Sequence, residues 1–344
     1  MLLISNTPID VIAAFFISLV LSYLLTPAAG FFAGRLGFVD SPSSIKAHAH
    51  PTPLLGGAAI FVSFFLSIIF TAGFNKEIAA IIIGGTLLFM IGAIDDKIKM
   101  LPNIKLFGQL VAALAVVKMG IRVEFIKDYY LSTAFSLLWI IGITNAINIL
   151  DNLNGLSAGI SAISALFFGI LAWERGGFLV ATLSFGLCGG CLGFIRYNFP
   201  RASIFMGDAG SLFIGFLLAT IAIMGNWASP TQITSLAIPI FVLGYPIFDT
   251  ALVSISRTAA GRSIFQGGKD HSSHRLALLG LKKKRAVLLI FFINFCLGLS
   301  GYVISKQKNP LSAILIAVVV FLCMLALGIR LGMVEVTSTG RRKR

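Results

Sequence analysis

Apolar residues run through this chain in long unbroken blocks, and the polar residues collect in the stretches between them. Eleven blocks are long enough to span, or nearly span, a bilayer, at about residues 10–32, 54–73, 77–94, 104–121, 131–150, 155–172, 177–194, 210–225, 235–255, 286–305 and 311–333. Several are short or rich in glycine, so the pattern predicts a bundle of ten or eleven membrane helices. Connections are short except at about 256–285, and no internal repeat is visible. The expectation is therefore one integral membrane domain over residues 1–344, with a single long loop inside it.

Composition strengthens this picture. Hydrophobic residues make up 57% of the chain and charged residues 12%, against about a quarter charged in a soluble domain. The chain reads as an all-α polytopic membrane protein. The first ten residues hold no Lys or Arg, so the first block is read as a span and not as a cleaved signal peptide. The four cysteines all lie within apolar blocks. Cys188 and Cys191 have redox-like spacing but no second ligand pair, and small-residue packing between helices accounts for them.

The net charge of +14 is explained by topology and implies no nucleic acid. With residue 1 outside, 20 of the 27 basic residues fall on inside segments, including Lys282 to Arg285 and Arg341 to Arg344. That excess predicts an outside N-terminus and a cytoplasmic C-terminus, and makes 256–285 a cytoplasmic loop. The same orientation places all four histidines inside, together with Asp40, Asp95, Asp96, Asp151, Asp208, Asp249 and Asp270. Chemistry-bearing side chains gathered on one face suit an enzyme with a cytosolic substrate. A transporter of an anionic solute, the alternative of another class, calls for polar groups near the midplane between related halves.

Five stretches on that face carry candidate chemistry. Phe205-Met206-Gly207-Asp208-Ala209-Gly210-Ser211 sets a lone acid between two glycines at the mouth of an apolar block. A carboxylate there is costly unless paired or bound to a metal. The bland reading is a helix cap; the sharper one is a divalent-metal ligand. Asp95 and Asp96 are adjacent acids at a helix C-terminus, where the dipole disfavours them. Such a pair suits general-base work beside a metal, with Lys97, Lys99 and Lys105 as available countercharge. Asn145, Asn148, Asp151 and Asn154 recur every third residue, a spacing that groups neighbours on one helix face. The loop of Lys46, His48, His50, Pro51, Pro53, Gly56 and Gly57 reads by itself as a solvated basic loop, and its side chains are also candidate phosphate donors. The cluster Gly267-Gly268-Lys269-Asp270-His271-Ser272-Ser273-His274-Arg275 offers phosphate donors as well. Asp249 follows Tyr245-Pro246 in a membrane block and is a weaker candidate, which Arg257 or Arg262 could equally pair with.

Taken together, in this order and over residues 46–275, these pieces resemble the polyprenyl-phosphate N-acetylhexosamine-1-phosphate transferases, glycosyltransferase family 4. The resemblance implies transfer of a sugar phosphate from a UDP-N-acetylhexosamine to undecaprenyl phosphate, with release of UMP, at the bacterial inner membrane. It implies magnesium, with manganese as a substitute. By position, Asp208 resembles the metal ligand, and Asp95 and Asp96 the acidic pair, with Asp95 also toward the metal. Lys46, His48, Asn145, Asn148, Asp151 and Asn154 resemble substrate-pocket residues, and His271, His274 and Arg275 the loop on the diphosphate and sugar. Asn154 departs from the commoner bacterial pattern, which has Asp there. The His-Ser-Ser-His-Arg loop resembles the GlcNAc-1-phosphate branch; the phospho-MurNAc-pentapeptide transferase of peptidoglycan synthesis, the alternative, has three consecutive His. Small residues in several spans permit a homodimer.

Overall fold

The computed structural model describes residues 7–40, 51–225, 227, 232–264 and 268–334, with backbone alone for 232–236. It forms two compact units, residues 1–228 and 229–344. Among the described residues, eight helices are long and apolar enough to cross a membrane, and the protein is an all-α, multi-pass membrane protein.

The first unit contains α1 (Pro8–Leu36), α2 (Gly56–Thr71), α3 (Lys76–Ile98), α4 (Pro102–Lys118), α5 (Tyr129–Leu150), α6 (Leu156–Glu174), α7 (Phe178–Asn198) and α8 (Gly207–Met224). Helix α1 starts at a capping box, in which Thr7 and Asp10 satisfy each other's backbone donors, with Pro8 in the first turn. Between α1 and α2 lies a short antiparallel pair, β1 (Val39–Asp40) and β2 (Thr52–Pro53). Lys46 and His48 fall between these strands, outside the described residues.

Helix α8 is the axis of this unit. It packs against α2, α3, α5, α6 and α7, and nearly every side chain from Ala209 to Ala222 is buried. A helix apolar on all sides belongs at the centre of a bundle. Glycines allow the close approach: a Cβ on Gly57 of α2 would strike Gly210, and one on Gly92 of α3 would strike the backbone of Asp208 and Ala209. The loop entering α8 is tied to the start of α2. Phe205 N–H donates to the Pro53 carbonyl, and Gly56 and Gly57 N–H donate to the carbonyls of Phe205 and Met206, at 2.8, 2.9 and 2.9 Å.

The second unit contains α9 (Gln232–Val242), α10 (Gly244–Ala259), α11 (Ser272–Leu278), α12 (Lys283–Lys306) and α13 (Pro310–Gly332). Here one expectation is corrected: the block at about 235–255 is two helices, not one. Pro246 has no N–H to donate to the Val242 carbonyl, so the ladder is interrupted at Leu243–Gly244. Helix α12 packs on α9, and α10 and α11 each contact α12 and α13. The long connection at 256–285 contains the end of α10 and all of α11.

Candidate active site

In the first unit, the C-terminal end of α3, the start of α4, the C-terminal end of α5 and the N-terminus of α8 bring together the carboxyl groups of Asp95, Asp96, Asp151 and Asp208 and the ammonium group of Lys105. Lys105, in the first turn of α4, donates to Asp95 Oδ2 at 3.1 Å and to Asp208 Oδ2 at 2.5 Å. Asn148 Nδ2, on the last turn of α5, donates to Asp208 Oδ1 at 3.1 Å and to Ser211 Oγ at 2.8 Å. Asp208 is thus held from two helices, through both oxygens. Asp95 Oδ1 also accepts the Met100 N–H at 2.6 Å.

Asp208 does not cap its own helix; Met206 occupies the cap position. The cap comes from a distant helix. Asp96 Oδ1 accepts the Asp208 N–H at 2.8 Å and its Oδ2 accepts the Ala209 N–H at 3.1 Å. A carboxylate at a helix N-terminus meets both the free donors and the positive end of the dipole. Gly207, at φ 76°, is required there, because a Cβ would collide with the Asp96 carboxyl.

The three-residue spacing from 145 to 154 does not continue on one helix, since α5 ends at Leu150. Asn148 reaches Asp208, whereas Asn145 lies a turn deeper and exchanges two hydrogen bonds with Gln109 of α4, at 2.6 and 3.3 Å. Asp151 caps the C-terminal end of α5. Burial, then the charges of Asp208 and Asp96, push its pKa up to about 8. Asn154 lies in the turn to α6, half-buried, with Nδ2 3.4 Å from the Pro200 carbonyl. That turn is latched by Asn198, which accepts the Gly155 N–H at 2.5 Å and donates to the Ile204 carbonyl at 2.7 Å. Sequence reasoning gave Gln109 no role and noted Asn198 only as the start of the stretch leading into the Asp208 loop. Gln109 follows Lys105 by four residues, the one sequence signal that they share a helix face.

Among the described residues, no three His, Cys, Asp or Glu side chains form a ready-made metal cage. The donor chemistry still fits magnesium. That ion is usually held by one or two carboxylates, with substrate phosphates and waters completing its shell. Asp95 and Asp208 supply oxygens on either side of one ammonium group.

The raised pKa of Asp151 makes stability depend on pH. The unfolded chain releases this proton near pH 4 and the folded chain near pH 8, so between those values the folded state binds more protons. Stability from this group is full at low pH and is lost as pH rises towards 8. In chelator, Asp151→Asn should remove that loss. Its melting temperature should gain on wild type between pH 5 and 8, read by thermal unfolding in detergent; a constant difference would contradict the assignment.

In the second unit, the loop residues are organised around two buried acids. Asp270 takes a two-pronged ion pair from Arg257, at 2.8 and 2.7 Å, with Arg262 at 3.4 Å. The Arg257 guanidinium holds the Asp270 carboxyl below the usual carboxylate range, against the opposing effect of burial. Asp249 pairs with neither arginine. It contacts His271, Nδ1 to Oδ2 at 2.9 Å, and Ser272. Arg275, expected to meet substrate, is 3% exposed. Its Nε donates to the Asp270 carbonyl, and its Nη1 donates to the carbonyls of Leu331, Gly332 and Val334 at the end of α13. It binds the C-terminal end of a helix, a favourable place for a cation. His274 is half-buried; burial, then the neighbouring His271, lower its pKa to about 4.

Acids and amides thus converge at the ends of membrane helices, and the relatives of the chain make it a phosphoglycosyl transferase. The chain belongs to glycosyl transferase family 4: the model of that family matches residues 78–226, which include every residue of the α3–α4–α5–α8 cluster. It is 35% identical to the "probable undecaprenyl-phosphate N-acetylglucosaminyl 1-phosphate transferase" of Bacillus subtilis, over 91% of this chain and 90% of the relative. It is 33% identical to a decaprenyl-phosphate N-acetylglucosaminephosphotransferase of Mycobacterium tuberculosis, over 79% and 77%. Phospho-N-acetylmuramoyl-pentapeptide-transferase of Moorella thermoacetica is 31% identical, over 78% and 89%.

Proposed function

We propose that this protein transfers N-acetylglucosamine 1-phosphate, or a related N-acetylhexosamine 1-phosphate, from its UDP derivative to undecaprenyl phosphate. UMP is released, in the first membrane step of a cell-envelope polysaccharide pathway. The observation that carries this reading is the bridge from Lys105 to Asp95 and Asp208, with Asn148 on the other Asp208 oxygen. Phosphoryl transfer depends on positioning and charge neutralisation far more than on covalent help. Magnesium, or manganese in its place, would be held by Asp95 and Asp208 and would neutralise charge on the donor diphosphate.

The chain's own residues then have distinct tasks. Asn148 fixes the orientation of Asp208. Asp96 fixes the start of α8 and with it the position of the Asp208 backbone. Lys105 carries positive charge to the phosphates. Asp95, its oxygens aligned by Lys105 and Met100, is the second carboxylate for the metal. Asp151 belongs to the pocket for the donor substrate. The excess of basic residues supports an active face in the cytoplasm, with the N-terminus outside.

The names of the Bacillus and Mycobacterium relatives support the N-acetylglucosamine branch, as does the His271-Ser-Ser-His274-Arg275 loop. The Moorella relative supports the pentapeptide reading as second choice. The test is UMP release by purified protein in detergent with undecaprenyl phosphate, magnesium and either UDP-GlcNAc or UDP-MurNAc-pentapeptide. Magnesium-dependent UMP from UDP-GlcNAc is expected. Release only from the pentapeptide donor would favour the second reading. UMP from neither donor would overturn the proposed reaction.

A further inference from the structure

We propose that Asp249 is a positioning residue that fixes the tautomer and ring orientation of His271, so that Nε2 is the working atom of the loop at 268–275. This rests on the transferase reading for its link to activity, but not for its geometry.

Asp249 is 1% exposed and His271 6%. The Asp249 carboxylate receives three contacts from one short stretch of chain. Oδ2 lies 2.9 Å from His271 Nδ1. Oδ1 accepts the Ser272 backbone N–H at 2.8 Å and also meets the Ser272 hydroxyl. Tyr245, one turn before Asp249 on α10, closes the set with its hydroxyl 2.6 Å from Ser272 Oγ. A carboxylate offers only acceptors, so the partner ring atom must carry the hydrogen. His271 is therefore the Nδ1–H tautomer when neutral, and Nε2 is left with its lone pair. The imidazole is fixed in the way that a buried carboxylate orients a histidine in acyl-transfer enzymes.

The loop on either side of His271 is anchored independently. Asp270 is clamped by Arg257, and Arg275 is bound to the end of α13. The loop thus keeps two anchors that do not involve Asp249, which itself holds the Ser272 N–H as well as the ring. The ring of His274 lies 5.8 Å from that of His271, and its lowered pKa keeps it uncharged near neutrality. His274 therefore adds no competing positive charge beside the oriented ring.

Replacing Asp249 with asparagine keeps the shape and reverses the chemistry. If the amide oxygen still accepts the Ser272 N–H, the amide nitrogen faces Nδ1 and must donate to it. His271 is then forced to the Nε2–H tautomer. The experiment is 15N NMR of histidine-labelled full-length protein in detergent, with the His271 signals assigned by loss in His271→Asn. Wild type should show a protonated Nδ1 and an unprotonated Nε2 on His271, and Asp249→Asn the reverse. In the UMP assay, Asp249→Asn should be about 10-fold slower or worse. Adding it to His271→Asn should cost no more than about 2-fold further, because both changes remove one unit.

An Nε2–H ring in wild type would overturn the proposal without any variant having to fold. So would an unchanged tautomer in Asp249→Asn, or additive losses in the double variant. If wild type released no UMP from any donor, the transferase reading would fail while the NMR result still decided the role of Asp249.

Discussion

Purified Asp208→Asn protein is expected to release UMP about 100- to 1,000-fold more slowly than wild type at saturating magnesium. Asp208 is where α4, α5 and α8 converge: Lys105 binds one oxygen and Asn148 the other. Asparagine preserves the shape and one acceptor but removes the charge that a divalent ion needs. Lys105 would keep Asp95 as a partner, so the local structure has no reason to collapse. Removing one of four clustered carboxyls also relieves like-charge repulsion. The melting temperature in chelator should therefore be equal to or above that of wild type. Lost activity together with a lowered melting temperature would point to a structural role for Asp208 instead. Near-normal activity would contradict its place in the reaction.

The second large effect is expected from a glycine with no chemistry of its own. A methyl group on Gly92 would overlap the backbone of Asp208 and Ala209. Both atoms sets belong to helix backbones, so neither can turn aside as a flexible side chain could, and α3 and α8 must separate. Asp95 and Asp96 travel with α3 and Asp208 with α8. A displacement of about 1 Å at a phosphoryl-transfer site costs on the order of 100-fold in rate. Gly92→Ala should accordingly lose about 100-fold in UMP release and also melt earlier, because overpacking costs about 1–3 kcal/mol. Asp208→Asn loses activity with stability intact, whereas Gly92→Ala loses both. Gly34, where an added Cβ meets nothing within 4 Å, is the control, and Gly34→Ala should change neither.

Much of this was legible before any coordinates. The blocks of apolar residues gave the helices, because a bilayer demands about 20 apolar residues per span. Asp95, Asp208 and Asn148 stood out because polar groups at membrane helix ends need a reason to be there. Other features were not legible. Nothing in residues 95–96 says that one carboxylate bridges to Lys105 while its neighbour caps a helix over a hundred positions away. Asn145 and Asn148 differ by less than one helical turn, yet one pairs with Gln109 and the other with Asp208. Arg275 looked like a phosphate ligand, and its guanidinium instead holds the end of α13.

By itself, the sequence determined that this is a multi-pass helical protein of glycosyl transferase family 4, and which acids and amides are candidates for its chemistry. Those properties follow from local composition: apolar length sets the spans, and residue type sets which atoms can ionise or donate. Only the tertiary structure decided how the polar groups are partnered. It made Asp96 a cap, Lys105 a bridge and Asp249 the partner of His271. Such partnerships depend on which helix ends meet, and hence on how closely glycines such as Gly57 and Gly92 let backbones approach across the bundle.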